Sequence, residues 1–491
     1  MRGGGVPEAE KVQRYCAFAI TNILSSHIDK GIFNELITNG TIADIIVVTL
    51  LRINSGITKE ALGKAIFNFL TRAEFRPILV GQGNKTDLDL IGAILELGKI
   101  ELVDLLELSI RIIYNISCEI ENPFYAQKIF DLNVPQLLIG RVTLSSKFPG
   151  ARATGSAKLM CGMAMANISF NEKLARALAL DKSFPDASHA IHKLHSEDAS
   201  YCICTTIFNI SLYEECISMA DTAAIDVLVE TLPKNLIQCT QIAIAALCNC
   251  SGYESFHGQL SSTAIKGVMI VMGSPSIAIP IKLDALYFLY NLVTAHSPSR
   301  ASAIEADCVP ALWKLLKAID DIETSGLIAR VVMEICTEAL PYIGKLLSDG
   351  IMPILLKLSK LEVPTIKYDI SRAIYSLTTV SGHETMKILK WDCVDILFWL
   401  TLHDCLDLYD PIKKNCVRAL RNFTLKKEEA LLLITEDRFV TILKALIKST
   451  DMDVLCNTGG TLYNLLSMEE CKNILLKRGV IQLIFEVCVI K

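Results

Sequence analysis

One short pattern recurs along the whole chain and constrains its fold more than anything else: two mostly apolar residues, an asparagine, an apolar residue and a small residue. It stands as ITNILS at Asn22, IFNFLT at Asn68, IYNISC at Asn115, MANISF at Asn167, IFNISL at Asn209, LCNCSG at Asn249, LYNLVT at Asn291, LRNFTL at Asn422 and LYNLLS at Asn464. Between Asn291 and Asn422 lie two variant copies, VMEICT with Glu334 and IYSLTT with Ser376. Successive copies are 40 to 52 residues apart, and the 442 residues from Asn22 to Asn464 make ten steps averaging 44.2. A fixed period of that length marks an array in which each unit buries its apolar face only against its neighbours. It also accounts for YNIS at 114–117 and its kin, which match the N-glycosylation pattern: the asparagine belongs to the ladder, and Ser117 follows because small polar residues end these helices.

A second landmark sits 14 to 18 residues after the first: NGTIADIIVVTLL at 39–51, NVPQLLIGRV at 133–142, DCVPALWKLL at 307–316, DGIMPILLKL at 349–358, DCVDILFWL at 392–400 and RGVIQLIFEV at 478–487. Its Gly, Asn or Asp can stop one helix, and Pro135, Pro310 and Pro353 suit the first turn of the next. Hydrophobic residues make up 51% of the chain and aromatic ones 7%, so Leu, Ile, Val and Ala do the packing, which favours helices over sheets. Each period therefore reads as a short helix, a medium helix and a longer helix that ends in the asparagine stretch. The copies after Asn22, Asn68, Asn115 and Ser376 are overlong, most of all at TLSSKFPGARATGSAK (143–158), read as a loop between second and third helices.

Three helices in about 42 residues, with GIMPILLKL and LYNLLS at that phase, resemble the armadillo repeat, from about residue 11 onward. The resemblance implies an all-α, armadillo-like, right-handed superhelical solenoid of about ten to eleven three-helix repeats over residues 11–491, after an N-terminal tail at 1–10. It implies that the asparagines lie on the third helices, which stack to line a concave groove. For function it implies a class, the binding of extended peptides or other proteins.

Several function classes are excluded by the residues themselves. The longest uncharged run, Asn235 to Tyr253, is 19 residues but holds Asn235, Gln238, Thr240, Gln241, Asn249, Ser251 and Gly252, so no membrane span is expected. The start, MRGGGVPEAEKVQRY, lacks the apolar region of a signal peptide, and a cytoplasmic location is expected. A net charge of −5 without a long basic run does not point to nucleic acid. The 17 cysteines form no CxxC pair and read as small buried apolar residues in a reducing compartment. GQGNKT at 81–86 lacks the Gly before Lys and the preceding strand of a phosphate-binding loop. In HAIHKLH, Ala187, Ala190, Ile191 and Leu194 make the buried stripe, which leaves His189, His192 and His195 on a solvated face. No catalytic constellation, metal site or cofactor is expected.

On a helix, positions one, four and eight before the asparagine share a face with it. Four before stand Lys64, Arg111, Arg330, Arg372 and Arg418 among the eleven copies, with no acidic residue; one before stand mostly Phe and Tyr. Glu60, Glu107 and Glu334 are placed to neutralise the first three as i,i+4 pairs. Arg372 and Arg418 are not so placed, and Lys414 and Arg421 add to them. No Trp occupies the fourth position before, where the resemblance to the importin-alpha branch of the family would require one to hold basic nuclear cargo; an Arg-lined groove is closer in kind to beta-catenin, which takes acidic partners. The expected groove thus comprises Asn115, Asn167, Asn209, Asn249, Asn291, Arg372, Tyr375, Lys414, Arg418, Arg421, Asn422 and Asn464. Its expected partner is an extended acidic segment of another protein, held by a non-catalytic scaffold. The alternatives are a structural part of a cytoskeletal or ciliary assembly, docked through the apolar last helix IQLIFEVCVIK, and a nuclear transport adaptor.

Overall fold

The computed structural model describes residues 8–25, 49–50, 52–71, 76, 92–94, 103–147, 155–234, 236–337, 341–379, 383–402 and 410–488. No strand occurs among them, and no helix is long and apolar enough to cross a membrane. The segment 39–48 of the first second-helix landmark and the GQGNKT stretch lie outside the described residues. The chain divides into two compact units, Met1–Cys250 and Ser251–Lys491.

Eleven helices carry the ladder positions: α1 (Glu8–Ser25), α2 (Gly56–Leu70), α3 (Val103–Ser117), α4 (Gly155–Ile168), α5 (Glu197–Ser211), α6 (Ile237–Ser251), α7 (Ile279–Ala295), α8 (Ile322–Thr337), α9 (Pro364–Thr378), α10 (Asp410–Phe423) and α11 (Met452–Leu466). Consecutive ones pack side by side, α1 through α5 in the first unit and α7 through α11 in the second. Their apolar residues recur at helical spacing and are fully enclosed, as with Ile203, Ile207 and Ile210 on α5 or Ile328, Val332 and Ile335 on α8. The fold is an all-α, armadillo-like solenoid, as the period implies.

The second-helix landmarks work through backbone conformation. Asn133, Asp307, Asp392, Gly350 and Gly479 have φ of 53°, 58°, 54°, 90° and 76°. A left-handed residue ends one helix and turns the chain at once into the next, a conformation that Gly, Asn and Asp tolerate best. One expectation needs correction: Thr143–Lys147 complete the helix Val134–Lys147, and α4 begins at Gly155, so the non-helical part of this connection is shorter than 143–158.

The asparagines bind neighbouring repeats together. In the first unit Asn167 Nδ2 donates to Ser117 Oγ (3.0 Å), Asn209 to Ser169 (2.8 Å) and Asn249 to Ser211 (3.0 Å). In the second, Asn291 donates to Ser251 (3.0 Å), Asn422 to Thr378 (3.1 Å) and Asn464 to Thr424 (3.1 Å). The acceptor is each time the residue two places after the preceding repeat's ladder position. Its hydroxyl in turn donates to the carbonyl three residues back, as Ser117 does to Tyr114 (2.6 Å), Ser169 to Ala166 (2.7 Å), Ser211 to Phe208 (2.7 Å) and Thr424 to Arg421 (2.8 Å). The Ser or Thr of the apparent glycosylation pattern is therefore more than a helix-ending residue: it is the docking point for the next repeat's amide.

Where that hydroxyl is missing, the ladder changes. Leu70 stands two places after Asn68, and the Nδ2 of Asn115, 8% exposed, is buried without a hydrogen-bond partner. Val293 and Cys336 stand two places after Asn291 and Glu334, and the next ladder residues are Glu334 and Ser376 rather than asparagine.

The histidine triplet does not share a solvated face. His192 is 1% exposed, with Nε2 2.8 Å from Lys234 Nζ and 3.4 Å from Glu230 Oε2, whereas His195 is exposed and left-handed at φ 53°. Lys234 donates to Nε2, so the proton of neutral His192 is on Nδ1, which has no partner. Burial and the Lys234 ammonium push the His192 pKa down to about 4, against the pull of Glu230. Of the described cysteines most are buried, and burial pushes the thiols of Cys161, Cys204, Cys308 and Cys393 up to about 12, which keeps them protonated and inert.

Two measurements check these assignments. Asn209→Ala is expected to lower the free energy of unfolding in urea by about 1–2 kcal/mol, because it removes a made, buried bond. Asn115→Ala should cost less than about 0.5 kcal/mol, since its donor is already unpartnered; equal losses would show that the amide bonds contribute nothing. For His192, the unfolded chain binds a proton from about pH 6.5 downward that the folded chain refuses until about pH 4. Stability should therefore fall as pH drops through that window, and the fall in Tm between pH 7 and pH 5 should be smaller in His192→Gln.

Candidate protein-binding surface

Apart from Thr205, which is buried, the positions four before the ladder residue are at least partly exposed, and the structure separates their cations into engaged and open ones. Lys64 bridges Glu60 at 2.6 Å and Arg111 approaches Glu107 at 3.9 Å. Arg330 on α8 reaches Glu334 at 3.5 Å and Asp369 of α9 at 3.2 Å, and Glu334 also holds Arg300 at 2.8 Å. Arg300 donates from Nε to the Val293 carbonyl at 2.9 Å. A chain of charges, Arg300 to Glu334 to Arg330 to Asp369, thus replaces the amide rungs where the ladder lacks hydroxyls. Asp369 is 8% exposed, and burial raises its pKa against the opposing fields of Arg330 and Arg372.

Arg372 and Arg418 differ. Neither forms an ion pair among the described residues, although the field of Arg372 reaches Asp369, and each guanidinium lies 6.0 Å from a tyrosine ring, Arg372 over Tyr368 on its own helix and Arg418 over Tyr375 of the preceding ladder helix. Tyrosine, arginine, tyrosine and arginine therefore alternate from α9 to α10. The rings restrict the guanidinium planes without neutralising them.

Lys414 and Arg421, expected to add to this charge, are engaged. Lys414 bridges Asp451 and Asp453 at 3.0 Å each, and these bonds raise its pKa. Arg421 donates to Asn457 Oδ1 at 3.0 Å and lies against Gly460, where a Cβ would sit 3.3 Å from Arg421 Nε. Gly460 thus makes room for a neighbour's side chain. Tyr368 is not among the expected groove residues, although its i,i+4 relation to Arg372 is visible in the sequence. Asp451, Asp453 and Arg300 could not be read, because they lie on other segments and off the ladder phase.

Within neither unit are the ladder asparagines uniformly open. Asn115 and Asn209 are 8% and 5% exposed, whereas Asn167, Asn249, Asn291, Asn422 and Asn464 are half-buried. Each bonded amide uses one N–H on its neighbour; Asn422 and Asn464 retain Oδ1 and the second N–H. A larger cleft of about 650 Å³ in the first unit, among Phe130, Lys173, Arg176, Leu180 and Glu215, offers less open charge. Arg176 already bridges Glu172 (2.8 Å) and Glu215 (2.6 Å), and Lys173 lies 4.2 Å from the Phe130 ring.

No protein-family model and no curated protein matches the sequence. Among solved structures, UNC-45 from Drosophila melanogaster is similar over 97% of this chain and 63% of its own, at 13% identity and a TM-score of 0.51. A designed armadillo repeat protein in complex with the peptide (KR)4 is similar over 48% of this chain and 97% of its own, at 18% identity and a TM-score of 0.40. An engineered protein covers 86% of this chain and 98% of its own, at 18% identity and a TM-score of 0.47. Eleven ladder helices and a likeness in fold over 97% of this chain lead to one conclusion: the chain has an all-α, armadillo-like repeat fold.

Proposed function

We propose that this protein is a non-catalytic scaffold that holds partner proteins, one of them as an extended acidic segment laid across α9 and α10. The observation that carries the reading is the pair Arg372 and Arg418: two guanidinium groups on consecutive ladder helices, without carboxylate partners, each set against a tyrosine. Guanidinium forks match carboxylates in two-point geometry, and such charge-assisted bonds are stronger than neutral ones. Neighbouring helices lie about 8–10 Å apart, and a chain in the polyproline II conformation has three residues per turn and rises about 3.1 Å per residue, so carboxylates three residues apart share one face and fit successive arginines. The free amide groups of Asn422 and Asn464 can hold the backbone of such a segment without regard to its side chains. The buried, protonated thiols fit a reducing, cytoplasmic setting.

A fluorescent 12-residue peptide with Glu at every third position, among Ser and Gly, should bind with an affinity that falls as salt rises. Arg372→Glu with Arg418→Glu should weaken binding by about tenfold or more per site. Lys414→Ala should change it by less than about threefold, because Asp451 and Asp453 already hold that charge. Unchanged binding by the double reversal would overturn the reading.

A further inference from the structure

The face of α8 has a gap in it. Eight places before the ladder residue, every other repeat carries a side chain, Tyr201, Leu283, Tyr368 and Lys414 among them, whereas the Glu334 repeat has Gly326. A Cβ placed on Gly326 would meet nothing within 4 Å. The missing side chain leaves a cleft of about 300 Å³ walled by Tyr290 of α7, Leu327 and Arg330 of α8, and Thr365 and Asp369 of α9. A second cleft of about 290 Å³ shares Arg330, Thr365 and Asp369 and extends to Pro364 and Tyr368.

The chemistry of these walls selects what can enter. Arg330 is fixed by Glu334 and Asp369, so its guanidinium presents a set plane rather than a mobile charge. Together with Arg300 the group holds two cations and two carboxylates, so it exerts no net pull on an ion of either sign. What the clefts offer instead is the shared Arg330 guanidinium, with Tyr290 in one cleft and Tyr368 in the other, groups against which a flat ring packs well. Gly326 lies one ladder helix from Arg372 and two from Arg418, and the second cleft reaches Tyr368, the ring beside Arg372.

We infer that the cleft over Gly326 is a side-chain pocket that takes one aromatic residue of the extended acidic partner, about three residues from the carboxylate held by Arg372. This inference rests on the acidic-segment reading above. It turns a groove that would accept any acidic chain into one that requires a ring at a set distance from the charges.

The test uses the full chain and four labelled 12-residue peptides of Ser and Gly with Glu at three-residue intervals. Two carry a Trp three residues before the first Glu or after the last, since the direction of the bound chain is left open, and two carry Ser there. One Trp peptide is expected to bind about tenfold more tightly than its Ser counterpart. Gly326→Leu, which fills the gap with a side chain that suits a helix, should bring that ratio to about one; Gly326→Ala should fall between. Arg372→Glu with Arg418→Glu should weaken both peptides and leave the ratio standing. Equal binding of Trp and Ser peptides by the natural chain, or a Trp preference that survives Gly326→Leu, overturns the pocket and leaves the acidic groove intact. If no peptide shows salt-sensitive binding, both fall.

Discussion

The bond from an asparagine amide to the hydroxyl of the repeat before it is the interaction on which the rest of this structure depends. Each ladder helix has an apolar face that fits many neighbours in many registers, because packing among Leu, Ile and Val is not directional. A half-buried amide tolerates far fewer. It must find an acceptor, and a serine or threonine two places after the preceding ladder position supplies one at 2.8 to 3.1 Å. A slip of one residue would bury an unpaired amide donor, at a cost of about 1–3 kcal/mol, while the hydroxyl kept only its bond within its own helix. The apolar core supplies most of the stability, and the amide fixes how the helices register.

The second unit avoids the unpartnered amide that Asn115 leaves in the first. Once Val293 and Cys336 occupy the hydroxyl places, asparagines at 334 and 376 would be stranded, and the chain has Glu334 and Ser376 there instead. Glu334 then takes Arg300 and Arg330, and Arg330 reaches on to Asp369. A line of ion pairs is the other way to satisfy polar groups between packed helices. Asp369 bonds Arg330 rather than Arg372 of its own helix, which acts on it only through its field.

Much of the fold was legible in the sequence, for an identifiable reason. A helix that must bury one stripe and a turn that needs a left-handed residue leave local marks, and Asn133, Asp307, Gly350 and Asp392 carry them. The candidate surface was only half legible. Pairs within one helix, such as Glu60 with Lys64, follow from spacing alone. Pairs between repeats do not: Lys414 looked open because Asp451 and Asp453 are on another helix, and Arg421 because Asn457 is. The role of Ser117 was hidden for the same reason, since its partner lies 50 residues away.

The amide, hydroxyl and carbonyl of each rung also give the array a direction. Every link hands a proton toward the repeat that came before, so each such repeat presents an acceptor at its end and brings a donor to its predecessor. Repeats of that kind are interchangeable parts: one that carries both Asn and Ser, such as the Asn167 or Asn209 repeat, could be duplicated or removed without leaving a loose end. The Glu334 repeat carries neither, and it joins on through side chains of its neighbours. Length can thus vary within a run of rungs, while the break between runs stays at one place in the chain.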